Sequence, residues 1–340
     1  MLQADDLVAG VPGPAVTGDG QVSQVLHVVD LDRPATDVDA VVAALAVRTS
    51  VVVGAASGPV DRRLLAALDL TLTERAASRE CVRVRSCADA VALLETAAAD
   101  RPRAALVVAA LLRQTVLLPA PEAVAAEASA YSTLLAGPEF ACWLADRGPA
   151  RPTRADDGSR VALSRDGDVL DVRLDRVVRR NAFDAAMRVA LSEALEVALL
   201  DPAVRVRLTG AGPVFSAGGD LDEFGRAADA ATAWVVRVGD SPALSLARLR
   251  DRTTAVVHGP CAGAGVELAA FAGRVVADPE TTFRLPELAM GLLPGAGGTV
   301  SLPRRIGRWR TLWLALTGQA LDAATALDWG LVDALEPRRG

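Results

Sequence analysis

The sequence reads FSAGGDL at residues 215–221, GPCAGAGVEL at 259–268 and LPELAMGLLPGAGGT at 285–299, and these three glycine-bearing turns decide the fold. Glycine after a strand lets the backbone turn with positive φ and approach a ligand closely. If helices begin at these turns, their free N–H groups and positive dipole ends point into one place. Two such N–H groups would form an oxyanion hole, which stabilises negative charge on a carbonyl oxygen.

Further motifs accompany the three turns in the second half of the chain. They are RNAF at 180–183, LTG at 316–318 and GLV at 330–332. With the turns, they make residues 161–335 resemble the crotonase, or enoyl-CoA hydratase/isomerase, family. The resemblance implies an α/β fold, with a ββα superhelix (spiral) as the catalytic domain.

The resemblance also implies a set of catalytic residues. It assigns Glu267 and Glu287 to the two glutamates that hydratases of the family use, and Gly219 and Ala264 to the two N–H donors of the oxyanion hole. The family usually has glycine at the Ala264 position, and alanine keeps the N–H. Gly295 matches a position whose backbone helps to hold the water.

The two glutamates suit the addition of water to a double bond conjugated with a thioester. That reaction needs a base for the water that attacks the β-carbon, and a proton for the α-carbon. Two carboxyl groups can divide these roles if their environments give them different protonation states. Taken singly, Glu267 and Glu287 also read as acids at the start of a helix, which the helix dipole stabilises.

A coenzyme A thioester is the substrate that the resemblance implies, and its phosphates need cationic partners. Arg176, Arg179 and Arg180 precede the early helix where the family binds the nucleotide, and arginine suits phosphate through its bidentate fork. An exposed basic cluster without a ligand is the other interpretation. Ala217 and Asp220 of the first turn are further candidate CoA contacts. Asp222 stands where some relatives carry a lysine that contacts the phosphates, so one anchor is absent.

The composition excludes several other kinds of chemistry. All 36 basic residues are arginine, against 42 acidic residues and a net charge of −6. Without lysine, a Schiff base and a P-loop are excluded. A mildly acidic chain with scattered arginines does not favour nucleic-acid binding. No CxxC or HExxH motif occurs, so we expect no catalytic zinc and no cofactor apart from the CoA of the substrate.

The chain reads as a cytoplasmic globular protein without a membrane segment. Its longest apolar run, residues 104–112, is much shorter than the ~20 residues that a membrane helix needs. The start carries Asp5 and Asp6 and lacks the basic region of a secretory signal. Four cysteines without ligand-like spacing are typical of buried thiols in a reducing compartment.

Alternating strands and helices predict two α/β units. Residues 1–20 read as a loose leader, 21–147 as a non-catalytic α/β domain, 148–159 as a polar linker and 160–340 as the catalytic domain. In the first unit we predict strands at 25–31, 50–54 and 104–112, helices at 38–47 and 88–99, and a helical segment at 121–146 that contains a Pro-Glu break. In the second we predict strands at 161–164, 169–174 and 204–209, with a helix at 184–200.

The first unit poses a separate question, because it has no glycine-rich loop carrying acidic residues. Residues 121–147 nevertheless resemble the helical tail that follows the catalytic core in the family. We therefore predict a degenerate crotonase-like unit that keeps its tail helices and packs on the catalytic half, within one chain or between chains.

The predicted function is hydration of a 2-enoyl-CoA, which belongs to fatty acid metabolism, in a homo-oligomer that is a trimer or hexamer by resemblance. An enoyl-CoA isomerase or another CoA-thioester lyase is the alternative within the family. A non-catalytic CoA-binding scaffold or partner-binding protein is the alternative from another class, although it has no chemical need of both glutamates.

Overall fold

The computed structural model describes residues 1–75, 78–149 and 158–338. Its strands are β1 (Leu2–Gln3), β2 (Ala15–Val16), β3 (Val22–Ser23), β4 (Leu26–Asp30), β5 (Val51–Ala55), β6 (Leu70–Thr73), β7 (Cys81–Arg83), β8 (Val161–Asp166), β9 (Val169–Leu174), β10 (Arg205–Gly210), β11 (Thr253–Val257), β12 (Pro260–Ala262), β13 (Arg274–Ala277), β14 (Thr282–Arg284), β15 (Leu321–Asp322) and β16 (Ala334–Leu335).

The helices alternate with these strands in both halves. They are α1 (Ala4–Ala9), α2 (Val38–Ala46), α3 (Arg62–Ala67), α4 (Cys87–Asp100), α5 (Pro102–Thr115), α6 (Ala120–Leu135), α7 (Pro138–Arg147), α8 (Ala185–Leu200), α9 (Ala230–Gly239), α10 (Pro242–Arg248), α11 (Ala264–Ala269), α12 (Gly298–Thr317) and α13 (Ala323–Trp329).

Each half contains its own sheet. The first sheet has the order β1-β4-β5-β6-β7 with every neighbouring pair parallel. The second has the order β16-β13-β11-β10-β9-β8 and is parallel except for the β8–β9 hairpin. A third, small sheet, β12-β14-β15, lies beside the glycine-rich turns. The predicted α/β class is confirmed for both halves.

Most predicted elements appear within one or two residues of their predicted bounds. The predicted helix at 184–200 is α8, and the Asp184 carboxylate caps it by accepting a hydrogen bond from the Met187 N–H at 2.7 Å. Ser86 caps α4 in the same way through the Asp89 N–H. These caps satisfy N–H groups that the first turn of a helix leaves without a partner.

The predicted strand at 104–112 is wrong, because this segment lies within helix α5. Periodicity alone cannot distinguish a buried helix from a buried strand in a short apolar run. Here Pro102 stands at the start of the helix, where its missing N–H costs nothing. The Glu139 carboxylate then accepts the N–H groups of Arg103 at 2.7 Å and Ala104 at 3.1 Å, which fixes the first turn.

The predicted loose leader is also corrected, since residues 2–9 form β1 and α1. β1 pairs with β4, and Ala4 and Leu7 of α1 are buried in a small core with the apolar faces of α2 and α3. The prediction failed because a two-residue strand and a six-residue helix give almost no periodic signal. Of the predicted linker at 148–159, residues 150–157 lie outside the described part of the chain.

A single hydrophobic core joins the two halves, and helix α12 lies at its centre. α12 packs against α4, α5 and α6 of the first half and against α11 of the second. It bends at Gly307, where φ is +84°. Polar contacts add to this packing: Arg79 donates to the Pro303 carbonyl at 3.0 Å, and Arg308 donates to the Leu68 carbonyl at 2.9 Å. The predicted packing of residues 121–147 on the catalytic half is therefore observed within one chain.

Candidate active site

The first glycine turn follows β10 and presents one free N–H group. Gly218 has φ +91°, which lets the chain reverse. Phe183 then bridges the turn: its N–H donates to the Gly218 carbonyl at 2.8 Å, and its carbonyl accepts the Asp220 N–H at 3.0 Å. The N–H of Gly219, between these two bonds, donates to no acceptor in the described part of the chain.

The second glycine turn leads into α11 and lies against the first. Ala264 is the first residue of α11, so its N–H has no partner within the helix. A Cβ on Gly218 would lie 2.9 Å from the Ala262 carbonyl oxygen and 3.5 Å from the Gly263 Cα. Only glycine permits so close an approach. The predicted donors, Gly219 and Ala264, thus belong to two turns in direct contact.

Glu267 lies in the first turn of α11 and is 2% exposed. Its Oε2 accepts the N–H groups of Ala296 at 2.6 Å and Gly298 at 2.8 Å, both from the third glycine turn. Burial raises the pKa of Glu267 well above its usual value, and the charges of Glu287 and Glu127 raise it further. The two hydrogen bonds oppose this effect without cancelling it.

Glu287 begins a 3-10 turn (Glu287–Met290) and is also buried. Its Oε1 lies 2.5 Å from the position that a Cβ on Gly263 would take, so the carboxyl group touches the second glycine turn beside Ala264. Its Oε2 has no hydrogen-bond partner among the described residues. Burial, aided by the charge of Glu127, raises the pKa of Glu287 to about 8.

A third buried glutamate, Glu127 of α6, reaches the same place from the first half of the chain. It is 2% exposed and accepts the N–H groups of Gly297 at 2.7 Å and Thr299 at 2.8 Å, as well as the Thr299 hydroxyl at 2.7 Å. Burial raises the pKa of Glu127 to about 7, against the opposing effects of these hydrogen bonds and of the Arg237 charge.

Gly295 is enclosed by side chains from both halves. Its carbonyl accepts a hydrogen bond from Arg237 Nη1 at 2.6 Å, and a Cβ on Gly295 would lie 2.2 Å from the Tyr131 ring. The Arg237 guanidinium stacks 3.5 Å above the centre of that ring. The Gly295 N–H donates to no acceptor in the described ranges, so it stays available for the water-holding role predicted for this residue.

The arginines predicted to hold phosphate lie in different environments. Arg176 is 5% exposed and pairs with Asp220 at 2.7 Å and Asp184 at 3.1 Å, so its charge is balanced inside the fold. The same pair places the Asp220 carboxylate inside the fold. This arrangement disfavours both side chains as CoA ligands.

Arg179 and Arg180 lie nearer the surface. Arg179 pairs with Asp222 at 2.8 Å, and Arg147 of α7 pairs with the same carboxylate. Asp222 is therefore occupied by two arginines. Arg180 is exposed, and its carbonyl accepts the N–H of Ala217, which is exposed too.

The four cysteines differ in burial. Cys261 lies within the second glycine turn and is buried, and burial raises the pKa of its thiol. Cys81 is buried as well, but Cys87 is half-buried and Cys142 is exposed, which corrects the prediction of four buried thiols.

Across residues 1–75, 78–149 and 158–338, no group of three His, Cys, Asp or Glu residues could hold a metal ion. Over the same ranges, no helix combines the length and apolarity needed to cross a membrane.

Comparison with known proteins identifies the family. The sequence profile described as "Enoyl-CoA hydratase/isomerase" matches residues 164–339. The chain belongs to the enoyl-CoA hydratase/isomerase family. It is 36% identical over 183 residues to the 2,3-dehydroadipyl-CoA hydratase of Escherichia coli K12, a match that covers 53% of this chain and 70% of that protein.

Solved structures give a consistent result. AtuE of Pseudomonas aeruginosa is 33% identical with a TM-score of 0.50, and the match covers 53% of this chain and 70% of that one. An enoyl-CoA hydratase homologue from Thermobifida fusca YX, solved in complex with acetoacetyl-CoA, is 31% identical with a TM-score of 0.48; the match covers 53% and 74% of the two chains. The profile match, the identity to the Escherichia coli hydratase and the match to AtuE confirm the family resemblance of residues 161–335 and the crotonase-like fold.

The sequence analysis missed three residues that the structure brings to the candidate site: Glu127, Tyr131 and Arg237. The first two stand four residues apart on α6, which places them on one helix face. Their spacing, in a segment that resembles the helical tail of the family, was the sequence feature that could have predicted them. Nothing in the sequence around Arg237 distinguished it from the other arginines.

Proposed function

We propose that this protein is an enoyl-CoA hydratase, which adds water reversibly to the double bond of a 2-enoyl-CoA thioester. The observation that carries the proposal is that two buried carboxyl groups, close enough for the charge of Glu287 to raise the pKa of Glu267, both lie against the glycine turns. Glu287 touches the second glycine turn, and Glu267 on the same turn reaches the third. Membership of the family and similarity to the 2,3-dehydroadipyl-CoA hydratase of Escherichia coli support the same chemistry.

In this proposal the thioester oxygen lies against the N–H groups of Gly219 and Ala264. Neither N–H is occupied within the described protein, so both can stabilise the enolate oxygen that forms in the reaction. Loss of one donor of such a hole typically costs ~3–4 kcal/mol of transition-state stabilisation.

The two glutamates then divide the proton transfers. The ionised carboxylate takes a proton from the water whose oxygen bonds to the β-carbon, and the electrons of the double bond move toward the thioester. The protonated carboxyl group delivers its proton to the α-carbon. The pKa values of Glu267 and Glu287 are both raised, so the pair keeps a proton near neutral pH and can supply the acid. The Gly295 N–H adds a donor for the water.

The CoA phosphates require cations, and every basic residue of this chain is an arginine or one of its two histidines. We propose Arg180, with Arg179, as the phosphate ligands, and the exposed Ala217 as a neighbouring contact. Arg180 fits best because it is exposed beside the first glycine turn.

A spectrophotometric assay with crotonyl-CoA and longer 2-enoyl-CoA thioesters tests the function. We expect the wild-type protein to consume the conjugated thioester, and Glu267→Gln and Glu287→Gln each to abolish turnover. Activity that survives in one of the two variants would instead indicate single-acid chemistry, as in an isomerase. Tight CoA binding without turnover of any acyl-CoA would indicate a scaffold.

The assembly and location of the enzyme are part of the proposal. We propose a homo-oligomer in the cytoplasm, with a trimer or hexamer expected by resemblance to the family. Light scattering coupled to size-exclusion chromatography tests the assembly, and a monomeric mass at assay concentration would exclude it.

A further inference from the structure

Four consecutive N–H groups in the third glycine turn bind two different glutamates in alternation. The donors and acceptors are, in order, Ala296 to Glu267, Gly297 to Glu127, Gly298 to Glu267 and Thr299 to Glu127, at distances of 2.6–2.8 Å. Glu267 belongs to the catalytic half and Glu127 to the first half. The two carboxylates therefore hold the same short segment from opposite halves of the chain.

Thr299 is held from the first half by two further bonds. Its hydroxyl donates to Glu127 at 2.7 Å, and its carbonyl accepts the Thr115 hydroxyl of α5 at 2.7 Å. Thr299 is fully buried, so these polar groups have no access to water as an alternative partner. Movement of the segment would break the bonds to both glutamates together.

We infer that Glu127 is a positioning residue for the proposed hydration: it braces residues 296–299 and so fixes the carboxyl group of Glu267. It acts through Glu267, and we assign it no contact with substrate. The inference rests on the proposed function. It gives the first half of the chain, which has no glycine-rich acidic loop of its own, a direct part in the chemistry.

The charge of Glu127 affects the pKa values of the two catalytic glutamates, which hydrogen bonding to the turn alone would not change. The titratable and charged groups that influence this cluster are Tyr131 on the same helix, Arg237 on α9, Glu267 on α11, Glu287 on the 3-10 turn and Arg284 on β14. A negative Glu127 raises the pKa of both Glu267 and Glu287. Its removal must therefore lower both values.

Steady-state kinetics of Glu127→Gln and Glu127→Asp test the inference. For Glu127→Gln we expect kcat to fall about 10- to 100-fold with KM changed less than about threefold, since misplacement of a catalytic group by ~1 Å costs about that much. The rising limb of the pH–kcat profile should also move to lower pH. Glu127→Asp keeps the charge but shortens the reach, so kcat should fall while the profile stays in place.

Glu139→Gln is the matched control. Glu139 is a buried glutamate from the neighbouring helix α7, and it accepts two N–H groups at the start of α5 rather than at the third glycine turn. We expect this variant to lose stability while kcat and its pH profile stay at wild-type values. A wild-type kcat and profile in Glu127→Gln, or the same profile shift in Glu139→Gln, would overturn the inference.

A carboxyl-carbon NMR titration distinguishes failure of this inference from failure of the proposed function. The Glu267 resonance can be assigned by its loss in Glu267→Gln, and its midpoint should fall in Glu127→Gln whether or not the protein turns over a substrate. A Glu267 midpoint unchanged by Glu127→Gln would show that the Glu127 charge does not act on Glu267, and it would overturn the inference. A wild-type protein inactive on every enoyl-CoA refutes the function alone.

Discussion

Replacement of Gly298 by alanine is a sharp test of the geometry around Glu267. A Cβ at this position would lie 2.6 Å from the Glu267 Cγ and 2.7 Å from its Oε2, whereas ordinary contact begins near 3.4 Å. The Glu267 side chain must therefore move by about 0.8 Å. The Gly298 N–H, which donates to that Oε2 at 2.8 Å, must lose or lengthen its bond at the same time.

A displacement of ~1 Å in a catalytic group costs about 100-fold in rate, or ~2.7 kcal/mol in activation free energy. We expect kcat of Gly298→Ala for crotonyl-CoA to fall by about that factor. KM should change little, because the proposed phosphate ligands lie on another turn. Overpacking of the site should also destabilise the fold by ~1–3 kcal/mol, which thermal denaturation monitored by circular dichroism would detect.

The matched control is Gly58→Ala, where an added Cβ meets no atom within 4 Å. Its kcat and melting temperature should equal those of the wild type. Gly298→Ala with wild-type kcat in the hydration assay would show that Glu267 does not need its observed position. The reasoning that links the third glycine turn to catalysis would then be wrong.

Three more predictions concern charge. Folding raises the pKa of Glu287 from 4.5 to about 8, so the folded state holds a proton that the unfolded state releases. The stability that this proton contributes is lost as pH rises from about 4.5 through 8, and urea denaturation should show the free energy of unfolding fall over that range. Glu287→Gln should flatten this pH dependence, and an equal slope in both proteins would contradict the raised pKa. Arg180→Ala should raise KM for crotonyl-CoA several-fold without a change in kcat, and an unchanged KM would remove Arg180 from the phosphate site. Arg176→Ala should instead destabilise the fold by ~3–5 kcal/mol in urea denaturation, because it leaves the buried Asp220 carboxylate without the arginine that pairs with it and leaves Asp184 with Arg160 alone. A wild-type midpoint would show that the buried ion pairs of Arg176 contribute nothing.

The sequence was informative wherever a residue's role is local. Residues a few positions apart determine the caps of α4 and α8 and the bounds of the strands around β9. The glycine turns are recognisable from their composition. The family resemblance then placed Glu267 and Glu287 on two turns that the structure brings into contact. These features depend on the order of residues along a short segment.

Features that depend on the meeting of distant segments were not predictable in the same way. The run at 104–112 lies in a helix whose first turn is capped by Glu139, some thirty residues later in the sequence. Glu127 enters the site because α6 packs on α12, and its spacing of four from Tyr131 indicates a shared helix face but not which helix that face contacts. Arg176 was predicted as a phosphate ligand, but the fold buries it between Asp184 at the start of α8 and Asp220 in the first glycine turn.

The position of helix α12 has a consequence for how the protein melts. Its first residues belong to the third glycine turn, while its body is buried against helices and strands of the first half. Separation of the two halves would expose that shared core and the carbonyl groups that Arg79 and Arg308 bind. We therefore expect the two sequence units to unfold as one cooperative unit, so that calorimetry records a single transition in which catalytic activity and global structure are lost together.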